Sequence, residues 1–99
     1  MLRFDKPNRP VPSGKDAETI GIDALGFLAS HDELMRRFLD LTGLEVNQLR
    51  TEAAKPAFFV GLLDFLLANE DDLMDFAGSV GLDPSEVERA RDAIGTRRT

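Results

Sequence analysis

The sequence predicts an all-α protein of about six helices, which form two related three-helix units packed around an apolar central helix. From Asp16 onwards, apolar residues recur at three- and four-residue spacing, and no alternating pattern typical of strands competes with it. Residues that start and end helices punctuate this pattern at regular intervals. The pattern of the first half then recurs in the second half at a constant offset of 38 residues.

Six helices are expected, at about residues 16–29, 31–42, 46–54, 56–68, 70–80 and 84–94. The second has an apolar face that includes Phe38 and Leu41, and the fifth has one that includes Phe76. Both are therefore amphipathic helices that bury one side. The expected core draws apolar residues from all six helices: Ile20, Leu25, Phe27, Leu28, Leu34, Phe38, Leu41, Leu49, Phe58, Leu62, Leu63, Phe65, Leu66, Leu73, Phe76, Val80, Leu82, Val87 and Ile94.

The ends of these helices are marked by capping signals. A polar residue followed three positions later by a second capping partner predicts helix starts at Ser30 with Glu33, Asn69 with Asp72, and Asp83 with Glu86. Proline opens the fourth and sixth helices, where its missing N–H is harmless, at Pro56 and Pro84. Left-handed glycines end many helices, so we expect C-terminal caps at Gly43, Gly81 and Gly95.

The repeat at an offset of 38 matches both core and turn positions. It aligns Ile20 with Phe58, Ile22 with Val60, Leu25 with Leu63, Phe27 with Phe65, Leu28 with Leu66, Met35 with Leu73, Phe38 with Phe76, and Leu49 with Val87. The turn at residues 43–45 also falls on the turn at residues 81–83. Any two amphipathic units can match at core positions by chance. The paired Gly-Leu-acid turns and the aligned phenylalanines favour an internal duplication.

The fourth helix is apolar around well over half of its circumference, and such a helix is buried on several sides. We expect it at the centre of the protein. Its surplus apolar face, Phe59, Leu63 and Leu67, would otherwise be an exposed patch that a homodimer could cover. Because the duplicated units supply a second internal face, a monomer is favoured over the homodimer.

The 99 residues have the length of one domain, which we place at residues 16–94 with repeat units at 16–54 and 55–94. A flexible, basic, proline-containing tail at residues 1–15 and a frayed end at residues 95–99 are expected to flank it. Neither a secretory signal nor a stretch that could span a bilayer is recognisable in the sequence. The expected location is the cytoplasm, with no membrane association.

Composition weakens several classes of function. Twelve basic against eighteen acidic residues give a net charge of −6, which disfavours nucleic-acid and anionic-membrane binding. The absence of cysteine excludes disulfides, thiolate metal sites and cysteine nucleophiles. No phosphate-binding loop, serine elbow or paired-carboxylate motif is present. We therefore expect no metal and no cofactor, and we place an unrecognised enzyme last among the possible functions.

Three blocks in fixed order carry a resemblance to a known family: FLASHDELMRRFLDLTGL, PAFFVGLLDFLL and GLDPSEV. Over about residues 17–94 the chain resembles a small alphaproteobacterial family known only as a domain of unknown function. The resemblance implies a compact helical cytoplasmic protein. It implies no catalytic or binding residue.

Residues 76–91 also look like a helix-turn-helix, with a Gly81-Leu82 turn and a second helix capped at Asp83. The second helix, however, carries more acidic than basic residues, and these repel phosphates. A corner used only for packing is favoured over a DNA-binding motif.

One acidic cluster and one histidine have simpler structural explanations than a site. Glu70, Asp71, Asp72 and Asp75 lack the ligand spacing of a calcium loop and stand where negative charge offsets a helix dipole. His31 has no second histidine or cysteine to complete a metal site, so it is expected to be an exposed residue near a helix start.

The leading function by elimination is a non-enzymatic protein-interaction or regulatory module with an unidentified protein partner. A helix-turn-helix nucleic-acid binder is the alternative. The residues expected to form the interaction surface are Phe59, Leu63, Leu67, Glu70, Asp71 and Asp75.

Overall fold

The computed structural model describes residues 15–98, with side chains described as far as residue 96, and this part of the chain is helical without any β-strand. The helices are α1 (Ala17–Ala29), α2 (Asp32–Thr42), α3 (Leu49–Glu52), α4 (Pro56–Leu67), α5 (Glu70–Val80) and α6 (Pro84–Arg98), and a 3-10 turn at Val46–Gln48 leads into α3. The all-α fold of six helices is confirmed. The predicted tail lies outside the described residues except for Lys15.

The central position of α4 follows from its packing. Its largest contact is with α6, and it also contacts α1 and α5, while α6 in turn lies against α1. Leu62, Leu63 and Leu66 of α4 are fully buried. The α1, α4 and α6 helices therefore form the middle of the protein, and α2 and α5 pack around it.

Phenylalanine rings connect α2 and α5 to this middle. The Phe38 ring of α2 meets Phe58 and Phe65 of α4 edge-on, with ring centroids 5.7 and 5.5 Å apart. The Phe76 ring of α5 meets Phe27 of α1 in the same manner at 5.4 Å. Edge-to-face contacts of this kind add to the free energy gained from apolar burial.

Most of the expected core is buried, but one of its residues is exposed and several are only partly buried. The Leu41 side chain is 75% exposed, because the end of α2 and its cap, residues 40–43, are left uncovered. Another group is only partly buried and packs at the edge of the core: Leu25, Leu49, Phe65, Leu73 and Val80. Four residues outside the expected core complete the set of buried hydrophobic residues among the described ones: Ala24, Val60, Ala77 and Ala90.

Two of the expected caps are wrong. Ser30 is not the cap of α2, since its hydroxyl donates back to the Gly26 carbonyl oxygen at 3.1 Å and His31 takes the cap position instead. Gly95 does not end α6, which runs on to Arg98. A Cβ at Gly95 would lie 3.6 Å from an Arg91 nitrogen and 3.9 Å from Val60, which are ordinary contact distances. The neighbouring side chains therefore leave room for the helix to continue.

The remaining caps are as expected. The Asn69 side chain accepts a hydrogen bond from the Asp72 N–H at 3.2 Å. Gly43 and Gly81 both have φ of 75°, which places them in the left-handed region where glycine is favoured. The third helix differs from its expected range of 46–54, because a 3-10 turn and a single α-helical turn replace one continuous helix.

Candidate functional site

An apolar groove of about 370 Å³ opens between α1, the corner that joins α3 to α4, and the end of α6. We call it the Ile22 groove. Its lining consists of Glu18, Ile22, Leu25, Ala53, Ala54, Lys55, Pro56, Phe59 and Ile94. Concave, mostly apolar surfaces with few polar groups are where proteins bind ligands and partners. Ile22 stands out because its side chain is 61% exposed.

The shape of the groove depends on a close approach between α1 and α4. A Cβ added to Gly21 would lie 2.7 Å from Cδ1 of Phe59, a distance that real side chains do not reach. Only glycine therefore lets the Phe59 ring rest against the α1 backbone. Held there, Phe59 is half-buried and forms part of the groove lining.

Two charged side chains stand among the apolar lining residues. The Lys55 ammonium group forms an ion pair with the Glu52 carboxylate, with Nζ 3.0 Å from Oε2. Glu18 lies on the α1 side and is exposed. Among the described side chains, the lining thus includes one carboxylate, Glu18, and one ammonium group, Lys55.

The expected apolar patch on α4 is not continuous. Leu63 is fully buried and therefore cannot contribute to an exposed surface. Phe59 and Leu67, one helical turn on either side of it, are each half-buried. The core takes up the middle of this face, because α4 is covered on several sides. Of the three residues, Phe59 alone lines the Ile22 groove.

The acidic residues at the start of α5 do not join the groove. Glu70, Asp71 and Asp75 are exposed, and Asp72 pairs with Arg37 of α2 at 2.7 Å. Within residues 15–98 no group of three or more potential ligands could hold a metal ion. Glu70, Asp71 and Asp72 lie in the first turn of α5, so their negative charge stands at the positive end of the helix dipole.

The His31 ring is held by its own helix corner. Its Nδ1 is 2.7 Å from the Phe27 carbonyl oxygen, so this nitrogen donates and carries the hydrogen. The ring also stacks on Phe27, with centroids 4.3 Å apart. These contacts give His31 a structural role at the start of α2.

The corner between α5 and α6 is built for packing and internal charge pairing. The Arg91 guanidinium donates to the Asp64 carboxylate of α4 at 2.7 Å, and this contact raises the pKa of Arg91. Hydrogen bonds from the backbone and hydroxyl of Ser85 lower the pKa of Asp83. Because Val87 and Ala90 are buried, α6 turns its apolar face into the core. The Arg91 guanidinium is thus paired within the protein.

Comparison with protein families adds one match. Residues 14–97 match the model of a family described as protein of unknown function (DUF3572). The chain belongs to the DUF3572 family. No curated protein and no solved structure matches it.

The DUF3572 match extends from before α1 into the last turn of α6, and it includes every residue that lines the Ile22 groove. The resemblance to a family of unknown function is thereby confirmed. Among the described residues of this DUF3572 protein, no helix combines the length and the apolar character needed to cross a bilayer.

Sequence reasoning found Phe59 but missed Ile22, Leu25, Pro56 and Ile94 as groove residues. A signal was present in the Lys55-Pro56 pair, because a residue before proline is pushed out of the α-helical region. That restriction separates the third helix from the fourth and contributes to the open corner beside Ile22.

Proposed function

We propose that this protein is a non-enzymatic protein-interaction module and that the Ile22 groove is its binding surface. One observation carries the proposal: a large apolar side chain, 61% exposed, projects from α1 in a concave apolar surface. Surfaces of this kind tend to mark partner sites. We expect the protein to act in the cytoplasm, and the alphaproteobacterial origin implied by the resemblance likewise stays a prediction.

The apolar lining supports binding over catalysis. Catalysis needs groups that can transfer protons, attack a substrate or stabilise developing charge in a water-poor site. The lining of the Ile22 groove is mainly aliphatic and aromatic carbon, its Lys55 is already paired to Glu52, and Glu18 is its one carboxylate among the described residues. Such a surface gains free energy by excluding water from an apolar partner.

The acidic residues Glu70, Asp71 and Asp75 have weaker support as part of the interaction surface, because none of them lines the groove. The helix-turn-helix alternative is also less well supported. Its second helix buries Val87 and Ala90, and its Arg91 is paired with Asp64 and so is less available to a phosphate.

The test compares two variants that each place a carboxylate on an exposed apolar position. Ile22→Glu lies in the groove, and Leu41→Glu, at a side chain that is 75% exposed, lies outside it. Each full-length chain is used as bait in its native cell extract, and captured proteins are quantified by mass spectrometry. Circular dichroism melts check that both variants stay folded.

The proposal predicts at least one protein that the parent chain and Leu41→Glu capture equally and that Ile22→Glu fails to capture. A carboxylate buried against apolar carbon without a partner is costly, so the loss should exceed about tenfold. Identical capture profiles for Ile22→Glu and the parent chain would show that the groove is not the binding surface.

A further inference from the structure

The Ile22 groove is an apolar surface that the described helices leave uncovered. Ile22 of α1 is 61% exposed, and Phe59 of α4, which lines the same groove, is half-buried. The volume of about 370 Å³ lies within the range of sites that enclose apolar ligands or side chains. Apolar carbon in contact with water is unfavourable, so a segment that covers this groove with apolar side chains would stabilise the protein.

The chain itself contains apolar side chains that can provide this cover. Every phenylalanine within residues 15–98 is buried or packs against the core: Phe27, Phe38, Phe58, Phe59, Phe65 and Phe76. The seventh phenylalanine, Phe4, belongs to residues 1–14, which lie outside the described residues and also contain Leu2 and Val11. The opposite end, residues 97–99, holds two arginines and a threonine. Of the two ends, the N-terminal one therefore has the apolar side chains that the groove can accept.

The N-terminal segment joins the protein close to the groove. The described residues begin at Lys15, and Asp16 starts α1 by accepting a hydrogen bond from the Thr19 N–H at 2.8 Å. Glu18, in the first turn of α1, already lines the groove. Ile22 lies about one turn further, roughly 6 Å along the helix axis. The segment thus begins within two helical turns of the exposed side chain.

The segment is also long enough to reach the groove. Phe4 and Lys15 are 11 residues apart, and an extended chain spans about 3.3 Å per residue, so Phe4 can lie up to about 36 Å from Lys15. The distance along α1 from Lys15 to Ile22 is roughly 10 Å. A short tether holds a segment at an effective concentration on the order of millimolar. A second copy or another protein has to compete with that concentration, which favours the chain's own segment.

We propose that residues 1–14 of this chain bind in the Ile22 groove, with Phe4 as the main anchor, and that a partner protein has to displace them. The displacement rests on the proposed interaction function, whereas the binding of the segment does not. Pro56 and Phe59 supply apolar carbon against which the Phe4 ring packs. An occupied site binds a partner only in proportion to the fraction of molecules in which it is open. Residues 1–14 therefore inhibit the interaction surface of their own chain.

A spin label detects the bound segment, and the absence of cysteine from the chain makes the labelling specific. Asp5→Cys introduces a single thiol beside Phe4, and a nitroxide attached there broadens the amide signals of nearby residues. The sample is the full-length chain labelled with nitrogen-15, and the same sample with the nitroxide reduced is the reference. The amide signals of Ile22 and Leu25 report whether the segment occupies the groove.

Four further substitutions separate binding from mere proximity of the tether. Phe4→Ser removes the anchor, and Ile22→Glu places a carboxylate in the groove. Asn8→Ser within the segment and Leu41→Glu outside the groove are the matched controls. The proposal predicts that the first two each reduce the broadening at Leu25 about threefold or more, and that the controls leave it unchanged. Equal broadening in all four would overturn the proposal. Circular dichroism melts check that each variant is folded.

A mixed sample tests whether the segment comes from a second copy. Unlabelled chain that carries the nitroxide is mixed with nitrogen-15 chain that has no cysteine. The proposal predicts no broadening of the Ile22 signal in this mixture, because each groove is filled by its own chain. Broadening at Ile22 would show that the segment of a second copy fills the groove, and this result would overturn the proposal.

Capture from the native cell extract separates this proposal from the proposed function. Phe4→Ser should increase capture of the Ile22-dependent partner about threefold or more, because the groove is open in more molecules. If Phe4→Ser captures no more than the parent chain while Ile22→Glu loses the partner, the inhibition is wrong and the interaction function stands. If all three chains capture the same proteins while the broadening at Leu25 still depends on Phe4, the interaction function fails and the segment is a permanent cover of the groove.

Discussion

The close contact between α1 and α4 requires a glycine at position 21. Gly21→Ala would place a methyl group 2.7 Å from Phe59 Cδ1, so the ring or the helix that carries it must shift. We expect a loss of roughly 1–3 kcal/mol in the free energy of unfolding, the usual range for overpacking. Urea denaturation at equilibrium measures this loss.

Gly61 is the matched control for this substitution. It lies inside α4, and a Cβ there would meet nothing within 4 Å. Gly61→Ala should therefore raise the free energy of unfolding by about 0.5–1 kcal/mol, because alanine favours the helix. Equal shifts for Gly21→Ala and Gly61→Ala would contradict the close approach of the Phe59 ring to the α1 backbone.

Phe65 and Phe76 should differ in their contribution to stability, although both are aromatic residues of the predicted repeat. Phe76 is fully buried, so Phe76→Ala should cost about 3–5 kcal/mol. Phe65 is half-buried between the Phe38 ring and the Arg37 guanidinium, whose Cζ lies 5.6 Å from the ring centroid. Phe65→Ala should cost roughly half as much, since less apolar area returns to water.

Denaturation midpoints with matched slopes measure both values. Helical periodicity alone assigns Phe65 a full core position, which would imply the larger loss. A loss for Phe65→Ala as large as that for Phe76→Ala would restore that interpretation.

Asp83 should contribute a pH-dependent term to stability. Hydrogen bonds from Ser85 lower its pKa in the folded protein below the ordinary value of 3.8. A lowered folded-state pKa means that the contribution is present above pH 3.8 and is lost as pH falls through the lowered pKa. Asp83→Asn keeps the side-chain oxygen but removes the titration.

We therefore expect the stability difference between the parent chain and Asp83→Asn to be larger at about pH 7 than at about pH 2–3. Thermal melts across this range measure it, with Asp71→Asn, an exposed carboxylate for comparison, as a control. A difference that is constant with pH would show that the Ser85 contacts do not favour the ionised form.

At the level of the helices, Asn69 and Ser30 have different roles despite similar expected ones. Asn69→Ala removes the bond from the Asp72 N–H and should cost about 1 kcal/mol. Ser30→Ala removes only a bond back to the Gly26 carbonyl and should stay within about 0.5 kcal/mol. Urea denaturation of the two variants side by side measures both, and a larger loss for Ser30→Ala would mean that Ser30 caps α2.

Local signals predicted most helix ends because caps act within a few residues. Asn69, Gly43 and Gly81 determine helix ends through bonds and backbone angles that the neighbouring sequence contains. Gly95 has the same local signal but remains helical, since packing beside Val60 outweighs a weak preference to end the helix. Tertiary contacts of that kind are not visible in a local pattern.

The Ile22 groove was harder to predict because it depends on which part of α1 no other helix covers. Periodicity shows that Ile22 is apolar and helical, and the repeat pairs it with Val60. Whether such a residue is covered depends on the length and direction of the third helix in its own half. The structure ends α3 at Glu52, and that end leaves Ile22 exposed.

At the scale of the whole molecule, we expect a monomer. The α4 face that could have required a homodimer is largely used inside, with Leu63 buried and Phe59 and Leu67 half-buried. Sedimentation at two concentrations should give a species near 10.9 kDa. A species of about twice that mass that persists on dilution would contradict the monomer. In that case, a folded monomer of the Phe59→Glu variant would show that this face forms the interface.

The position of α6 in the chain affects how the protein is made. Both α1 and α4 pack against α6, and a ribosome produces both of them before it reaches residue 84. During that interval the part of α4 that α6 covers remains exposed, and exposed apolar surface on a nascent chain attracts chaperones. Contacts between the first and the sixth helix also span most of the sequence. Folding should consequently be slow for a helical protein, because the entropy of closing such a long loop is lost before the contacts between these helices stabilise the chain.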